Sequence, residues 1–173
     1  QINLDMRGID RPTDVLSFPM CDFETPGDFD GLEETPEEYF NPDTGELMLG
    51  DIVISVKGSD FALGDLVAFY MGNKILVKRC IAGPGQWVEI DESGNVYVDG
   101  KLLDEPYLEE KALGDCDIEL PYQVPDNRYF CMGDHRSTSV DSRSTTVGCV
   151  SSEQIVGKIV FRVWPLPDFG ALR

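Results

Sequence analysis

Short apolar runs separated by turn residues fill the chain from Leu49 onward, and this pattern limits the fold more than any other feature. The runs are rich in β-branched and aromatic residues and recur about every ten residues, a spacing typical of sandwiches and barrels. Gly72-Asn73 and Asp99-Gly100 are typical of hairpin turns. We therefore predict a mainly β protein with a barrel-like or sandwich body. The predicted strands are 52–54, 66–70, 75–77, 87–90, 96–98, 129–132 and 159–163.

Helical patterns are nearly absent from the sequence. The one candidate is a short helix over 151–156, with Ser151 or Ser152 placed to cap its amino terminus. Short helices are therefore expected only as minor additions to the β body.

The first 50 residues differ from the rest in charge. They hold 13 acidic and two basic residues, for a net charge of −11, against −7 for the remaining 123 residues. Residues 14–19 suit one short strand, whereas 21–45 is acidic and interrupted by proline and glycine, as in a loop. We therefore divide the chain into an acidic, loop-rich segment over 1–48 and a β body over 49–173.

Composition excludes several classes of function. The net charge of −18 opposes a phosphate backbone, so no nucleic-acid partner is expected. His135 is the single histidine, so a Ser-His-Asp triad has only that residue available and a two-histidine zinc motif is impossible. The five cysteines show no CxxC spacing and leave their pairing open. We expect neither a metal nor another cofactor.

Lys78 and Arg79 interrupt an apolar strand, which is unusual for charged residues. Alternation along the strand places them on opposite faces, so one cation points toward apolar neighbours. Loss of hydration lowers the pKa of a lysine, and a neutral amine can take a proton from a serine hydroxyl. The alternative is an edge strand whose lysine extends to water.

A second polar cluster follows the predicted strand 129–132. Residues 133–143 combine glycine and small hydroxyl residues with two aspartates and two arginines. Such a loop can fix itself with Asp-Arg pairs and direct a serine hydroxyl at a neighbouring group. A rigid, self-paired loop without chemistry is the alternative.

Three ordered blocks of this chain resemble those of bacterial type I signal peptidases, a family of membrane-bound serine endopeptidases. The likeness covers about residues 50–170. The blocks are Gly-Asp-Leu-Val-Ala-Phe over 64–69, Val-Lys-Arg-Cys-Ile-Ala-Gly-Pro-Gly over 77–85, and the loop 133–143.

The resemblance implies roles for individual residues. Lys78 would be the general base of a Ser-Lys dyad and Ser139 would orient it, while Asp141 and Arg143 would form a supporting ion pair. Asp134 and Arg79 are further supporting residues, and His135 stands where many members have asparagine. The resemblance also implies signal peptides of exported preproteins as substrates, and a catalytic domain on the extracytoplasmic side of the cell membrane.

Two expected features of that family are not found in the sequence. The family serine belongs to a Ser-Met-x-Pro-Thr block, eight residues before a Gly-Asp pair; counting back from Gly50 reaches Pro42. The nucleophile is therefore unknown, with Ser17 and Ser55 as weak candidates and Ser59 nearby. In addition, no apolar run approaches the roughly 18 to 20 residues of a membrane anchor.

Residues 1–55 resemble a different family, the YbeY endoribonucleases of ribosomal RNA maturation. The likeness rests on 7–19 and on 49–55, and the latter stretch fits both families. Arg7 matches a functional arginine of that family. The family's histidine-rich metal site cannot exist here, because His135 is the single histidine of the chain. We interpret the chain as a YbeY-like fragment joined to a signal peptidase body. The alternatives to a peptidase are a non-catalytic peptide-binding or chimeric module, and a remnant of a metal-dependent endoribonuclease.

Overall fold

The structure is a computed structural model that describes residues 13–17, 52–58, 61–72, 74–164 and 169–172, with only the backbone path for 13–17. These ranges contain twelve β-strands and no helix. The prediction of a mainly β protein is confirmed. The strands are β1 (Thr13–Ser17), β2 (Ile52–Lys57), β3 (Leu66–Met71), β4 (Lys74–Ala82), β5 (Trp87–Ile90), β6 (Val96–Val98), β7 (Lys101–Leu102), β8 (Tyr122–Gln123), β9 (Arg128–Met132), β10 (Val150–Ser151), β11 (Ile155–Trp164) and β12 (Gly170–Ala171).

The larger sheet has eight antiparallel strands in the order β1-β2-β11-β3-β4-β9-β10, with β12 paired to β11. Within it, β4 lies between β3 and β9. Val67 stands opposite Lys78 on one side and Met132 stands opposite Arg79 on the other. Because β4 has a partner along both edges, the alternative of a lysine on an edge strand is wrong.

A smaller sheet packs against the end of β4. Its four strands follow the order β7-β6-β5-β8. One core cluster joins Ile81 and Ala82 of β4, Val88 of β5, and Phe130 and Met132 of β9. Full burial of a side chain such as Val or Phe contributes roughly 1.5–3 kcal/mol, so this cluster fixes β4 and β9 against the second sheet.

The hairpin signal at Asp99-Gly100 is confirmed. Both residues have positive φ, 50° and 75°, and they connect β6 to β7. Two successive positive φ values are those of a type I′ turn, whose twist matches antiparallel strands. The Asp99 carboxylate also accepts hydrogen bonds from the Trp87 backbone and from the Gln86 side chain, both at 2.9 Å.

The helix predicted over 151–156 is wrong. Ser151 ends β10, Ile155 begins β11, and a turn connects them. The Gln154 side-chain oxygen accepts hydrogen bonds from the Ser151 backbone at 2.9 Å and from its hydroxyl at 3.0 Å. These bonds close a turn at the residues for which the sequence pattern predicted a capped helix.

The strand expected over 14–19 is present as β1, at Thr13–Ser17. It pairs antiparallel with β2, from Thr13 opposite Val56 to Ser17 opposite Ile52. The predicted acidic loop over 21–45 lies outside the described residues.

Candidate active site

Lys78 lies at the middle of β4, where its side chain meets the loop 133–143. Its Nζ donates a hydrogen bond to Ser139 Oγ at 2.6 Å. Burial lowers the pKa of Lys78; Arg143 acts in the same direction, while the carboxylates of Asp141 and Asp134 oppose the shift. A lowered pKa enlarges the neutral fraction of the amine, so the site can hold a lysine able to accept a proton.

Gly133 makes room for this contact. A Cβ added there would lie 2.0 Å from Ser139 Oγ and 3.3 Å from Lys78 Nζ. The first distance is far below van der Waals contact, so any side chain at 133 would displace Ser139. The glycine that directly follows β9 is therefore a spatial requirement of the Lys78–Ser139 pair.

A buried ion pair holds the loop that carries Ser139. Arg143 Nη2 and Asp141 Oδ2 lie 2.8 Å apart, and both side chains are fully buried. Asp141 also accepts a hydrogen bond from the Gly133 backbone at 2.9 Å, and Arg143 donates to the Ser139 carbonyl at 3.2 Å. Burial by itself raises the pKa of Asp141, but hydrogen bonds from Arg143 and Gly133 outweigh it and lower the pKa. The pair therefore stays ionised and ties both ends of the loop.

Arg79 binds the start of the same loop. Its Nε and Nη2 donate to the two carboxylate oxygens of Asp134, at 2.8 and 2.6 Å. A third donor, Nη1, reaches the Gly64 carbonyl at 2.7 Å, and the guanidinium lies 3.8 Å from the centre of the Tyr107 ring. A bidentate pair with ring stacking fixes the orientation of the guanidinium. Both neighbouring cations of β4 thus contact the loop 133–143.

A second fully buried ion pair was missed by sequence reasoning. Arg136 bonds Glu105, and neither side chain is exposed. We expected the loop's two aspartates and two arginines to pair among themselves, but only Asp141 and Arg143 do so; Asp134 pairs with Arg79 of β4. Glu105 lies 31 positions from Arg136, and no local pattern signals a partner at that distance.

His135 lies on the exposed side of the loop. Its Nδ1 is 2.8 Å from Thr138 Oγ1. This contact stays within the loop 133–143.

The two described serine candidates for the nucleophile, Ser55 and Ser17, lie on strands that do not pair with the Lys78 strand. Ser55 is fully buried on β2, and its Oγ has no hydrogen-bond partner among the described residues. In the sheet, β11 and β3 lie between β2 and β4, so Ser55 is three strand spacings of roughly 4.8 Å from the lysine strand. Ser17 lies on β1, one strand further along. As a direct partner of Lys78, Ser55 is therefore a wrong candidate, while Pro42 and Ser59 lie outside the described residues.

A cavity of about 290 Å³ adjoins the outer side of the loop. It lies beside the Arg79–Asp134 pair. The residues that line it are Tyr107, Glu109, Glu110, Asp134, His135, Arg136 and Ser137. Across the described ranges, no group of three or more His, Cys, Asp or Glu side chains is arranged to hold a metal ion.

Two family models match the chain. The model described as signal peptidase, peptidase S26, covers residues 42–164, and that of endoribonuclease YbeY covers residues 1–60. The first spans well over half of the sequence and includes every residue of the site described above. The chain therefore belongs to the signal peptidase family, peptidase S26.

Individual relatives agree with both matches. The signal peptidase IB of Staphylococcus aureus is 35% identical, over 68% of this chain and 68% of its own length. The endoribonuclease YbeY of Agathobacter rectalis is 69% identical, over 32% of this chain and 33% of its own length. A crystal structure of a signal peptidase I from Enterococcus faecalis V583 shares 26% identity, with a TM-score of 0.48, and covers 58% of this chain and 97% of that one.

The chain spans only part of several of these relatives. It covers about a third of the YbeY proteins and 57% to 62% of signal peptidases from Synechocystis and Bacillus subtilis. Within the described ranges, no helix is both long and apolar enough to cross a bilayer.

Proposed function

We propose that this chain carries the catalytic β body of a signal peptidase I, a serine endopeptidase of the Ser-Lys dyad type. The observation that carries the proposal is the hydrogen bond between Lys78 Nζ and Ser139 Oγ in a partly buried site. Its substrates would be signal peptides of exported preproteins, and its place of action the extracytoplasmic face of the cell membrane, as the family suggests. No cofactor takes part in the proposed reaction.

Lys78 is the proposed general base. As a neutral amine it would take the proton of a serine hydroxyl, so that the oxygen attacks the scissile carbonyl. It would pass that proton to the leaving nitrogen as the peptide C–N bond breaks, which releases an amine and leaves an ester on the serine. A water molecule deprotonated by the same amine would then hydrolyse the ester and restore the serine hydroxyl. The lowered pKa of Lys78 favours this state. Ser139 is the proposed positioning residue, because its hydroxyl accepts a hydrogen bond from the amine and restricts the rotamers of a long, flexible side chain.

The surrounding ion pairs would keep this geometry rigid. Asp141 and Arg143 would fix the backbone at Gly133 and Ser139, and Arg79 with Asp134 would anchor the loop to β4. The Asp141–Arg143 pair is fully buried, so its charged groups would move little and would preserve the short distance on which proton transfer depends.

A peptide-binding module without hydrolytic activity is the second candidate. The observation that favours it is the residue at the family's nucleophile position, which is Pro42 in this sequence. A body with the base but without the serine can hold a peptide and leave its bond intact.

We further propose that two units meet in this chain, an acidic fragment over 1–48 and the peptidase body over 49–173. The two family matches overlap over 42–60, which supports a junction in the Gly-Asp-apolar stretch that both families share. The YbeY match covers about a third of its relatives, so the first unit is proposed to be a fragment without ribonuclease activity. Sequencing across residues 40–60 in source DNA tests the junction, and a frame interrupted there would contradict a natural fusion.

A cleavage assay distinguishes the two candidates. The full chain is incubated with a signal-peptide substrate, and products are identified by mass spectrometry. Cleavage that is lost in Lys78→Met and kept in Lys101→Met, an exposed lysine of the second sheet, supports the peptidase. Peptide binding without cleavage supports the binding module, and cleavage that survives Lys78→Met would end the proposed role of this lysine.

A further inference from the structure

Two buried cysteines face each other across β4 and β9. Cys80 and Cys131 are direct partners in the antiparallel register. Their relative exposures are 0% and 1%, and both are free thiols. The proposed peptidase reaction uses neither of them.

Backbone hydrogen bonds define the type of this pair. The amide and carbonyl of Cys80 bond Asp65 and Gly64, on the β3 side. Those of Cys131 bond the Ser142 side chain and backbone, on the side away from β4. Since neither residue directs its backbone groups at the other, they form a non-hydrogen-bonded pair, for which the Cα separation is about 4.5 Å. Disulfides span about 4.4 to 6.8 Å between Cα atoms.

The two thiols belong to the same buried core cluster. A hydrogen bond with the Cys80 thiol, together with burial, raises the pKa of Cys131. In the folded protein the thiol is therefore protonated and a poor nucleophile, so reaction with a dissolved disulfide requires local opening of the sheet or takes place during folding.

We propose that Cys80 and Cys131 are a reversible redox pair that forms a cross-strand disulfide between β4 and β9. With a small disulfide such as oxidised glutathione, the thiolate of one cysteine attacks a glutathione sulfur and releases one glutathione thiolate. The second cysteine then loses its proton and attacks the protein sulfur of the mixed disulfide, which releases the second glutathione. Two protein thiols are oxidised, one glutathione disulfide is reduced, and the two protons pass to the departing thiolates.

The position of the proposed disulfide determines which parts of the fold it would constrain. The segment between Cys80 and Cys131 contains all of β5 to β8, so the disulfide would close the second sheet into a covalent loop. Cys80 is two residues from Lys78 on the same face of β4, and Cys131 is two residues from Gly133. Oxidation would therefore fix the spacing of the two strands directly beside the site, whether or not the chain cleaves peptides.

Refolding in a glutathione redox buffer tests the proposal. The full chain is unfolded, refolded at defined ratios of reduced to oxidised glutathione, quenched with an alkylating reagent and digested without reduction. We expect a peptide that links Cys80 to Cys131 and disappears after reduction. We also expect the melting temperature of the oxidised protein to exceed that of the reduced form by an amount on the order of 10 °C.

Cys149 provides the matched control, since it is also buried and free but belongs to a different core cluster. Cys149→Ala should keep the linked peptide and the rise in melting temperature, whereas Cys131→Ala should lose both. The map of disulfide-linked peptides from the unsubstituted protein tests the proposal even where a variant folds poorly. Recovery of Cys80 and Cys131 as free thiols at the most oxidising ratio, or a link from Cys131 to Cys149, would overturn the proposal.

Discussion

Lys78 and Ser139 are 61 positions apart in the sequence, yet Nζ of the lysine donates to Oγ of the serine at 2.6 Å. Two structural features produce this contact. The interior position of β4 brings the lysine beside β9, and the glycine directly after β9 leaves the space that the serine occupies.

Restoring the family's serine block should create or strongly increase peptidase activity. The combined change Pro42→Ser, Asp43→Met, Gly45→Pro and Glu46→Thr supplies the Ser-Met-x-Pro-Thr pattern at the family's spacing. Loss of a serine nucleophile costs on the order of 10⁶-fold in a well-studied protease, so a gain of at least about 10³-fold is expected. The rate of signal-peptide cleavage is the measurement. The same block with Pro42→Ala is the control, and equal rates for the two would contradict the prediction.

Removing the Ser139 hydroxyl should slow cleavage in the protein with the restored block. Ser139→Ala deletes the acceptor of the Lys78 hydrogen bond, and misplacement of a reacting group by about 1 Å can cost about 100-fold in rate. Cleavage rates at saturating peptide check this. Ser137→Ala, an exposed serine of the same loop, should have little effect. A similar loss in both variants would point to the loop as a whole and not to the hydroxyl.

Cleavage should increase with pH, because the proposed reaction uses the neutral form of Lys78. Since the pKa of Lys78 is lowered from 10.5, the rate should reach its plateau below that pH. The same shift affects stability, because between the lowered pKa and 10.5 the unfolded chain binds more protons than the folded one. The unfolding free energy of the original protein, relative to that of Lys78→Met, should therefore rise with pH in this interval. Urea unfolding from pH 7 to 10.5 measures the difference; a flat difference would contradict the lowered pKa.

A methyl group at position 133 should disrupt the site. Gly133→Ala places Cβ 2.0 Å from Ser139 Oγ, so the serine must move away from Lys78. Overpacking of this kind costs about 1–3 kcal/mol of unfolding free energy, and cleavage should fall with it. Gly83→Ala is the control, since its nearest contact would be 3.6 Å. Comparable stability of the two variants in urea would count against the crowding argument.

Breaking the buried ion pair should be among the most destabilising single changes. Asp141→Asn leaves the Arg143 guanidinium buried without its carboxylate, which typically costs about 3–5 kcal/mol. The lowered pKa of Asp141 means that its contribution is present above the pKa of the unfolded chain and is lost as the pH falls through the folded value. Urea unfolding at pH 7 and at a series of pH values below 3.8 measures both effects. The difference between the variant and the original protein should shrink as the pH falls below 3.8, and a difference that stays constant over the series would contradict this assignment.

Local sequence patterns predicted most of the β body because its strands carry their own signals. The runs 87–90 and 96–98 are β5 and β6 with the same bounds, since turn residues flank both. The prediction of a helix over 151–156 was wrong because a pattern of only six polar and apolar residues does not distinguish a capped helix from a turn. In the structure the Gln154 side chain closes the turn.

The candidate site was only partly predictable from the sequence. Lys78 stood out because a charge within an apolar strand is costly, and this signal is local. The Arg136–Glu105 pair and the Tyr107 ring over Arg79 depend on contacts between distant segments. Such partners become neighbours only after the two sheets pack, so no spacing rule identifies them.

The register of β4 against β3 and β9 determines which of its two adjacent cations reaches Ser139. Lys78 and Arg79 are adjacent and lie on opposite faces of one strand, with Val67 and Met132 as their respective partners across it. A slip of a single residue would reverse the faces and present a guanidinium to the serine. Arginine keeps its proton throughout the physiological range. A substitution that shifts this pairing would therefore abolish the proposed proton transfer while leaving every side chain of the site chemically intact.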